Sequence, residues 1–311
     1  MRKFGFIFLI CLVWACSNTK DFVLKEKDLI PEGTAFNEET NSVYIGSIYK
    51  QKILGIEPDG TEADAITSDN FGQFSPLGME MDNQTHTLWV CAAVAPIVEH
   101  APDVKRQTAV LAFDPNENRQ MKKFVLDTEV PAMLNDLTVD HKGNVYATET
   151  LGHKIYWIEN GKNELELFLN LNKYHHPNGI VFYEAESCLF IATDEGIVKL
   201  NLETKELVLL ATQYGIDATV IDGLAIYENF FIGHQSSKIS KFYFNEGISK
   251  IVGAETLDSG DAFDSSTTGE IGNGHYYYIV NSQLKSGINR AEQKVKPLDS
   301  LEHVIIRKMK L

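Results

Sequence analysis

The sequence predicts an all-β protein that folds as a six-bladed β-propeller of four-stranded blades. Three observations support this prediction. A short motif recurs six times, apolar runs with the character of strands follow each copy, and helical periodicity is nearly absent. The motif is one residue, usually followed by Gly and then by an apolar segment rich in β-branched residues. A period in the forties built from strands is typical of propellers, in which each repeat forms one blade.

Pro177-Asn178-Gly179 is the clearest copy of the motif. An isolated Asn-Gly pair indicates no more than a turn, because both residues accept positive φ angles. Here the same position recurs along the chain, and the residues that occupy it are Glu32, Leu77, Asn135, Asn178, Asp222 and Thr268. The intervals between them are 45, 58, 43, 44 and 46 residues. Six copies therefore predict six blades in one domain.

The strand signals after each copy follow the order expected within a blade. First strands such as residues 180–182 are apolar, and second strands are predicted at residues 43–45, 88–90, 145–147, 189–191, 230–232 and 277–279. Outer segments such as residues 123–126 are more polar and alternate as half-exposed strands do. The sixth repeat is short of strands within its own segment. We therefore expect residues 304–306 to supply one strand and residues 22–24 the outermost, so that both ends of the chain close the ring.

The first 16 residues are predicted to be a signal peptide of the lipoprotein type. Arg2 and Lys3 precede an apolar stretch, residues 4–14, that is too short to span a bilayer. The ending at residues 12–16 resembles a bacterial lipobox, in which the cysteine, here Cys16, becomes the lipidated first residue. An ordinary secretory signal with an incidental cysteine is the alternative. Residues 17–20 are predicted to be a tether and residues 21–311 the propeller, exported and lipid-anchored in the bacterial cell envelope, on its periplasmic side or at the cell surface.

The net charge indicates which partners are expected, and the positions of the cysteines indicate whether they form a disulfide. A formal charge of −15 at pH 7 disfavours nucleic acid and anionic lipid and favours cations. We therefore expect no nucleic-acid partner and membrane contact through the lipid anchor only, with a monomer as the default. Cys91 and Cys188 lie in apolar strands of the second and fourth repeats, which are not neighbours. They are predicted to be buried thiols, without a disulfide between them.

The six residues of the repeated position are predicted to form a ring around the propeller axis, because the first strand of each blade is innermost. Four of them offer oxygen ligands: Glu32, Asn135, Asn178 and Asp222. Such a set suits a hard cation, with Ca²⁺ preferred and another divalent cation as the alternative, whereas zinc would favour His or Cys. The competing interpretation is that these residues form turns without a metal. A turn accounts for Asn-Gly and Asp-Gly but not for Glu32.

Pro31-Glu32-Gly33, Asn135-Asp136, Pro177-Asn178-Gly179 and Asp222-Gly223, in this order and spacing, resemble the motifs of a known family. It is the regucalcin, gluconolactonase and luciferin-regenerating-enzyme (senescence marker protein) family of six-bladed propellers, with paraoxonases and diisopropyl fluorophosphatase as distant relatives. The resemblance implies that Glu32, Asn178 and Asp222 bind a divalent cation and that Asn135 lies beside it, touching substrate or cation. It also implies metal-assisted hydrolysis of a lactone or ester, with Asp222 as general base or nucleophile.

The chain departs from this family at one substrate position. Sugar-lactone members have an Arg two residues before the Asn of the third blade, where this chain has Met133, which favours less polar lactones or esters. Further candidates at the predicted mouth are Glu149, His153, Asn281 and Gln283 as substrate-binding residues, His234 as a proton shuttle, and His175 and His176. Residues 94–107 are predicted to form a lid or a surface loop.

Two classes of function remain open from the sequence. The first is a calcium-dependent hydrolase of the lactonase or esterase type. The second is a non-catalytic propeller that binds a ligand or a protein and uses calcium for structure only.

Overall fold

Six antiparallel sheets of four strands build this chain, as a computed structural model shows for residues 19–98 and 107–311; one of these sheets carries a short fifth strand. The first strand of each sheet contacts the first strands of both neighbouring sheets, from the first sheet round to the sixth and back to the first. The sheets are therefore the blades of a closed ring. The predicted six-bladed β-propeller is confirmed.

The first three blades each use four consecutive strands. Blade 1 consists of Pro31–Asn37, Ser42–Ser47, Lys52–Ile56 and Glu62–Ile66. Blade 2 consists of Ser75–Asp82, Thr87–Ala93, Thr108–Asp114 and Arg119–Leu126. Blade 3 consists of Leu134–Val139, Val145–Glu149, Lys154–Ile158 and Glu166–Asn170. The second strands lie where the sequence predicts them.

Blades 4 and 5 follow the same order. Blade 4 consists of Ile180–Tyr183, Cys188–Thr193, Gly196–Asn201 and Leu207–Leu209. Blade 5 consists of Leu224–Tyr227, Phe230–His234, Lys238–Phe244 and Lys250–Ser259, with Ala211–Thr212 as the fifth, outer strand. Outside the blades, the described part of the chain forms a small hairpin, Ile288–Asn289 with Lys294–Val295, and three short 3-10 helices, Ser68–Asn70, Glu184–Glu186 and Leu298–Ser300.

Blade 6 joins strands from both ends of the described chain. From the axis outward it consists of Gly269–Gly272, His275–Ile279, Ile305–Lys310 and Thr19–Val23. The Arg307 guanidinium donates two hydrogen bonds to the Asp21 carboxylate, at 2.6 and 2.7 Å, which ties the outermost strand to its neighbour. The predicted closure is confirmed. The outermost strand begins at Thr19, so the last two residues of the predicted tether belong to the sheet.

The apolar core lies between neighbouring blades, in six buried clusters that follow one another around the ring. Cys91 and Cys188 are buried free thiols in two different clusters, as predicted. Residues 19–98 and 107–311 contain no helix long and apolar enough to cross a membrane. The predicted signal peptide, and residues 99–106 of the predicted lid, lie outside the described residues.

Candidate cation site and its pocket

The ring positions lie where the innermost strands leave regular pairing. In blades 1 to 3 the register between first and second strands shifts at the positions of Glu32, Leu77 and Asn135. Such bulges redirect a side chain and are common beside functional sites. In blades 4 and 5, Asn178 and Asp222 precede the first strand and are fixed by their backbone N–H groups, which donate to carbonyls of the second strand at 2.9 and 2.8 Å.

The glycines that follow the ring residues are required because the backbone of the next blade lies against them. Gly78, Gly179 and Gly223 do not have positive φ angles. A Cβ atom at Gly179 would lie 2.6 Å from the carbonyl oxygen of Asp222, and at Gly223 it would lie 2.6 Å from that of Thr267. Only Gly lets the neighbouring innermost strands approach this closely. The interpretation that a turn explains these glycines is therefore wrong. The close packing of neighbouring blades explains them instead.

Threonine hydroxyls hold the ring backbone together across blade boundaries. Thr150 Oγ1 donates to the carbonyl of Pro177 at 2.7 Å, which joins blades 3 and 4. Thr268 Oγ1 donates to the carbonyl of Glu32 at 2.7 Å, which joins blades 6 and 1. Thr268, which the sequence placed in the ring without a role, therefore fixes the position of Glu32.

The two ring amides have their nitrogen atoms occupied. Asn178 Nδ2 donates to Asp222 Oδ1 at 2.7 Å, and Asn135 Nδ2 donates to Thr150 Oγ1 at 3.1 Å. Because an amide carries its donors on nitrogen and its acceptor on oxygen, this arrangement leaves both amide oxygens for another partner. The ring therefore offers carbonyl and carboxylate oxygens, the ligand type that Ca²⁺ takes.

Glu32 is the least satisfied group of the ring. Its side chain is buried, and its Oε2 atom has no hydrogen-bond partner among the described residues. Burial and then the negative charges of Asp222 and Asp136 hold the pKa of Glu32 well above its usual value. Burial likewise raises the pKa of Asp222 to about 6, opposed by the hydrogen bond from Asn178. An unpaired buried carboxylate is costly, so the site fits a group that brings positive charge.

A pocket of about 260 Å³ opens beside the ring at blades 4 and 5. It is lined by Thr150, His176, Asn178, Thr193, Asp194, Val220, Ile221, Asp222 and Ser236. Its walls combine carboxylates, hydroxyls and two aliphatic side chains, and none of these lining residues is Lys or Arg. An electrophile in this pocket would lie against Asp222 and Asn178.

His176 and Asp194 are pocket residues whose pairing the sequence did not reveal. His176 Nδ1 lies 2.7 Å from Asp194 Oδ2. The backbone N–H of His176 donates to His153 Nδ1 at 3.0 Å, and His153 itself is not among the described residues that line the pocket. Their positions in the sequence could have indicated the pair. His176 precedes the blade 4 ring residue, and Asp194 follows the second strand of that blade.

Three further carboxylates line a cavity of about 160 Å³ in the central channel: Glu80, Asp136 and Glu270. Burial raises the pKa of Asp136 to about 7, and burial together with the charge of Asp136 raises that of Glu270 to about 7. Glu80, with its pKa raised well above the usual value by burial and then by Glu270, completes the group. Charged residues inside otherwise apolar innermost strands are the signal that could have found them.

Glu149 and Met133 form a structural contact beside the pocket. The Glu149 carboxylate is buried and accepts three backbone N–H groups, from Met133 and Leu151 at 3.0 Å and from Gly152 at 2.8 Å. Glu149 therefore shapes the loop after the second strand of blade 3. Met133 is half-buried, and its carbonyl accepts the N–H of Thr150 at 2.9 Å, which positions that pocket residue.

Asn281 and Gln283 are also engaged with the backbone. The Asn281 amide donates to the carbonyl of His303 at 2.9 Å and accepts from the N–H of Ile305 at 2.8 Å. The Gln283 amide donates to the carbonyl of Glu302 at 3.0 Å and accepts from its N–H at 2.9 Å. Both residues line a separate groove that contains none of the ring residues. The structure does not bring them to the ring pocket.

His234 is enclosed in the core. Its side chain is 0% exposed, with Nδ1 at 2.9 Å from Ser266 Oγ and Nε2 at 2.6 Å from the Tyr276 hydroxyl. Burial lowers its pKa to about 3, so the imidazole is neutral at pH 7. The expectation that His234 reaches the mouth is wrong, because the side chain lies between blades 5 and 6.

Residues 19–98 and 107–311 contain no group of three or more His, Cys, Asp or Glu side chains arranged to hold a metal ion by themselves. The ring supplies two carboxylates, and the oxygens of two amides complete its donor set. Any cation bound there would therefore depend on Asn135 and Asn178 as well as on Glu32 and Asp222.

Comparison with known proteins identifies the architecture. No family model and no curated protein matches the chain. A solved gluconolactonase from Xanthomonas campestris is 13% identical with a TM-score of 0.62 and covers 94% of this chain and 90% of its own. A luciferin-regenerating enzyme is 11% identical with a TM-score of 0.61 over 94% and 96% of the two chains. The Malassezia sympodialis allergen Mala s 1 is 12% identical with a TM-score of 0.66 over 93% and 95%. At these identities the likeness establishes the propeller fold, which several functions share.

Proposed function

We propose that the protein is a calcium-dependent hydrolase of lactones or esters, with Glu32, Asn135, Asn178 and Asp222 as the residues that hold the ion. The observation that carries this proposal is the buried Oε2 atom of Glu32, which has no hydrogen-bond partner among the described residues and lies close enough to the Asp222 carboxylate for its charge to raise the pKa of Glu32. Two negative groups buried together destabilise each other unless a cation offsets them. Another divalent cation could take the same place.

Each part of the site has a separate role in this proposal. When bound, Ca²⁺ supplies the positive charge that polarises a substrate carbonyl. Asn178 holds one oxygen of Asp222 and so fixes the orientation of its carboxylate. Asp222 also lines the pocket, where its carboxylate accepts a proton from water as a general base or attacks the carbonyl as a nucleophile.

The substrate class follows from the same pocket. Gluconolactonases occur among the solved structures that share this fold, which supports a lactone or a related ester as substrate. None of the described residues that line the pocket is Lys or Arg, and Val220 and Ile221 give it an apolar side. An uncharged lactone or ester therefore suits it better than a sugar acid.

The experiment is a panel of lactones, aryl esters and phosphotriesters, assayed with excess calcium and again after chelation. We expect turnover of at least one lactone or ester that chelation removes and added calcium restores. Asp222→Asn should lower kcat by about 100-fold or more, because it removes a positioned base or nucleophile. Turnover that survives both chelation and this substitution would exclude the proposed mechanism.

A non-catalytic binding propeller is the second candidate. The observation that favours it is Met133, which stands where sugar-lactone members of the resembled family have a substrate-gripping Arg. This candidate predicts calcium binding by the wild-type protein, measured by calorimetry, with no turnover of any compound in the panel.

We also propose that the chain is exported and anchored through a lipid on Cys16. This proposal rests on the sequence alone. Cys16 lies outside the described residues. Labelled palmitate should be incorporated by cells that express the full chain and not by cells that express Cys16→Ser. Equal labelling of the two would exclude lipidation at Cys16.

A further inference from the structure

His176 is held in a fixed backbone conformation at the edge of the ring pocket. Its φ angle is +45°, in the left-handed region that residues other than Gly rarely adopt. Its position before Pro177 restricts the backbone further. The hydrogen bond from its N–H to His153 Nδ1, at 3.0 Å, helps to hold this conformation. The backbone of His176 is thus held in one conformation two residues before Asn178, and its side chain is about half exposed.

Asp194 fixes the ring of His176. Nδ1 lies 2.7 Å from Asp194 Oδ2, and an ionised carboxylate can only accept a hydrogen bond, so Nδ1 carries the donated proton. In the neutral imidazole the other nitrogen, Nε2, is then an acceptor. Nε2 has no hydrogen-bond partner among the described residues. When the imidazole is neutral, His176, which lines the pocket, therefore offers Nε2 as an acceptor.

The acceptor belongs to the same pocket as the proposed catalytic residues. His176 and Asp194 line the same space of about 260 Å³ as Asn178 and Asp222, which the proposed function assigns to the ion and to catalysis. A substrate whose carbonyl lies at the ring would therefore share one pocket with His176. An acceptor at such a wall binds a group that donates, and a hydroxyl is the simplest donor that an uncharged lactone or ester can carry.

We infer that His176 is a specificity-determining residue that accepts a hydrogen bond from a hydroxyl group of the substrate, with Asp194 as its positioning residue. The inference rests on the proposed function. It defines the substrate as an uncharged lactone or ester with a free hydroxyl on the carbon next to the carbonyl or on the following one. A methoxy group at the same position has no proton to donate and does not replace the hydroxyl.

The neighbouring histidine provides a matched control. His175 Nδ1 lies 2.6 Å from Glu195 Oε1, so it forms the same kind of pair in the same two loops. Neither His175 nor Glu195 lines the ring pocket. His175→Phe therefore reproduces the chemical change of His176→Phe without altering the pocket wall.

The experiment compares kcat and KM for γ-butyrolactone and its 2-hydroxy, 3-hydroxy and methoxy derivatives. We expect the wild type to prefer one hydroxylated compound over its methoxy counterpart. His176→Phe should lower kcat/KM about 3- to 10-fold more for that compound than for γ-butyrolactone, mainly through KM, because one hydrogen bond is lost. His176→Gln, whose amide oxygen can accept, should recover part of the preference, and His175→Phe should retain all of it.

Asp194→Ala is the second variant, since it leaves His176 in place and releases its ring. It should lower the same preference by a smaller factor, with the melting temperature checked for both variants. An equal effect of His176→Phe on hydroxylated and unsubstituted lactones, or no effect, would overturn the inference and leave the proposed function standing. Absence of turnover by the wild type on every lactone and ester with calcium would overturn both.

Discussion

Polar residues around the ring opening fall into two groups that differ in their hydrogen-bond partners. At blades 4 and 5, Asn178 bonds Asp222 and His176 bonds Asp194, side chain to side chain, and all four line a pocket. Glu149, by contrast, bonds three backbone N–H groups, and Asn281 and Gln283 likewise bond the backbone. The first group can meet a ligand without loss of loop structure, and the second group cannot.

The difference follows from the cost of unpaired backbone groups. A buried N–H or carbonyl that loses its partner raises the free energy of the folded state, so its side-chain partner is committed to that bond. A polar residue near a strand end is therefore weak evidence for function until its partner atoms are known. Glu32 and Glu149 differ most in hydrogen bonding, since one carboxylate oxygen of Glu32 has no partner among the described residues.

Glu32→Gln and Glu149→Gln test this comparison with the same chemical change. Glu149→Gln should lower the free energy of unfolding by about 3 kcal/mol, because a carboxylate that accepts three N–H groups becomes an amide that accepts fewer. For a domain of this size that is a fall of roughly 5 °C in melting temperature. Glu32→Gln should leave the melting temperature in chelator unchanged or higher, because it removes an unpaired buried charge.

Calcium separates the two variants further. The wild type and Glu149→Gln should both gain stability from calcium, about 2.7 kcal/mol at 100 times the dissociation constant. Glu32→Gln should lose that gain, and calorimetry should show weaker calcium binding. If Glu32→Gln keeps the full calcium response, or if Glu149→Gln alone loses it, the roles assigned to the two carboxylates are reversed.

The repeated motif allowed much of the fold to be predicted from the sequence. Six equivalent positions at the spacing of one blade place Glu32, Asn178 and Asp222 around one axis, whatever the loops do, because each repeat is one structural unit. The partners of Glu149 could not be predicted in the same way. They come from positions 133, 151 and 152, and their arrangement depends on how two loops fold against each other.

His234 shows where the available signal was missed. Side chains alternate along a strand, so Ile232 and His234 share a face. Ile232 belongs to the buried cluster between blades 5 and 6, and His234 points into the same interface. The position of His234 at the end of a strand suggested the mouth, although the alternation of the strand indicates the core.

His234→Phe tests that assignment by separating stability from catalysis. It should lower the free energy of unfolding by about 2 kcal/mol, because the buried Tyr276 hydroxyl loses its acceptor. Adding Tyr276→Phe should recover part of this loss, since both partners are then apolar. The turnover number of the folded protein should change less than about twofold. A hundredfold loss of kcat without a change in melting temperature would instead restore His234 as a catalytic residue.

Glu270→Gln tests the carboxylates of the central channel, which belong to neither group. Glu270 Oε1 accepts one N–H, from Ile271 at 2.8 Å, while burial and the charges of Asp136 and Glu38 raise its pKa to about 7. Because its ordinary pKa is 4.5, the folded state holds a proton between about pH 4.5 and 7 that the unfolded chain has released. Stability due to this group is therefore lost as the pH rises through that interval.

The expected size of the effect is about 3 kcal/mol. Glu270→Gln should remove it, so that the variant melts higher than the wild type at pH 8 and about equally at pH 4.5. Melting curves in chelator at both pH values measure this directly, because calcium at the ring would otherwise add its own stabilisation. Glu166→Gln is the matched control, since Glu166 is exposed on the outer strand of blade 3 and its substitution should give the same small change at both pH values. If Glu270→Gln instead lowers the melting temperature at pH 8, the charged carboxylate is stabilised by a partner in the channel, and Glu270 then belongs with Glu149 among the satisfied groups.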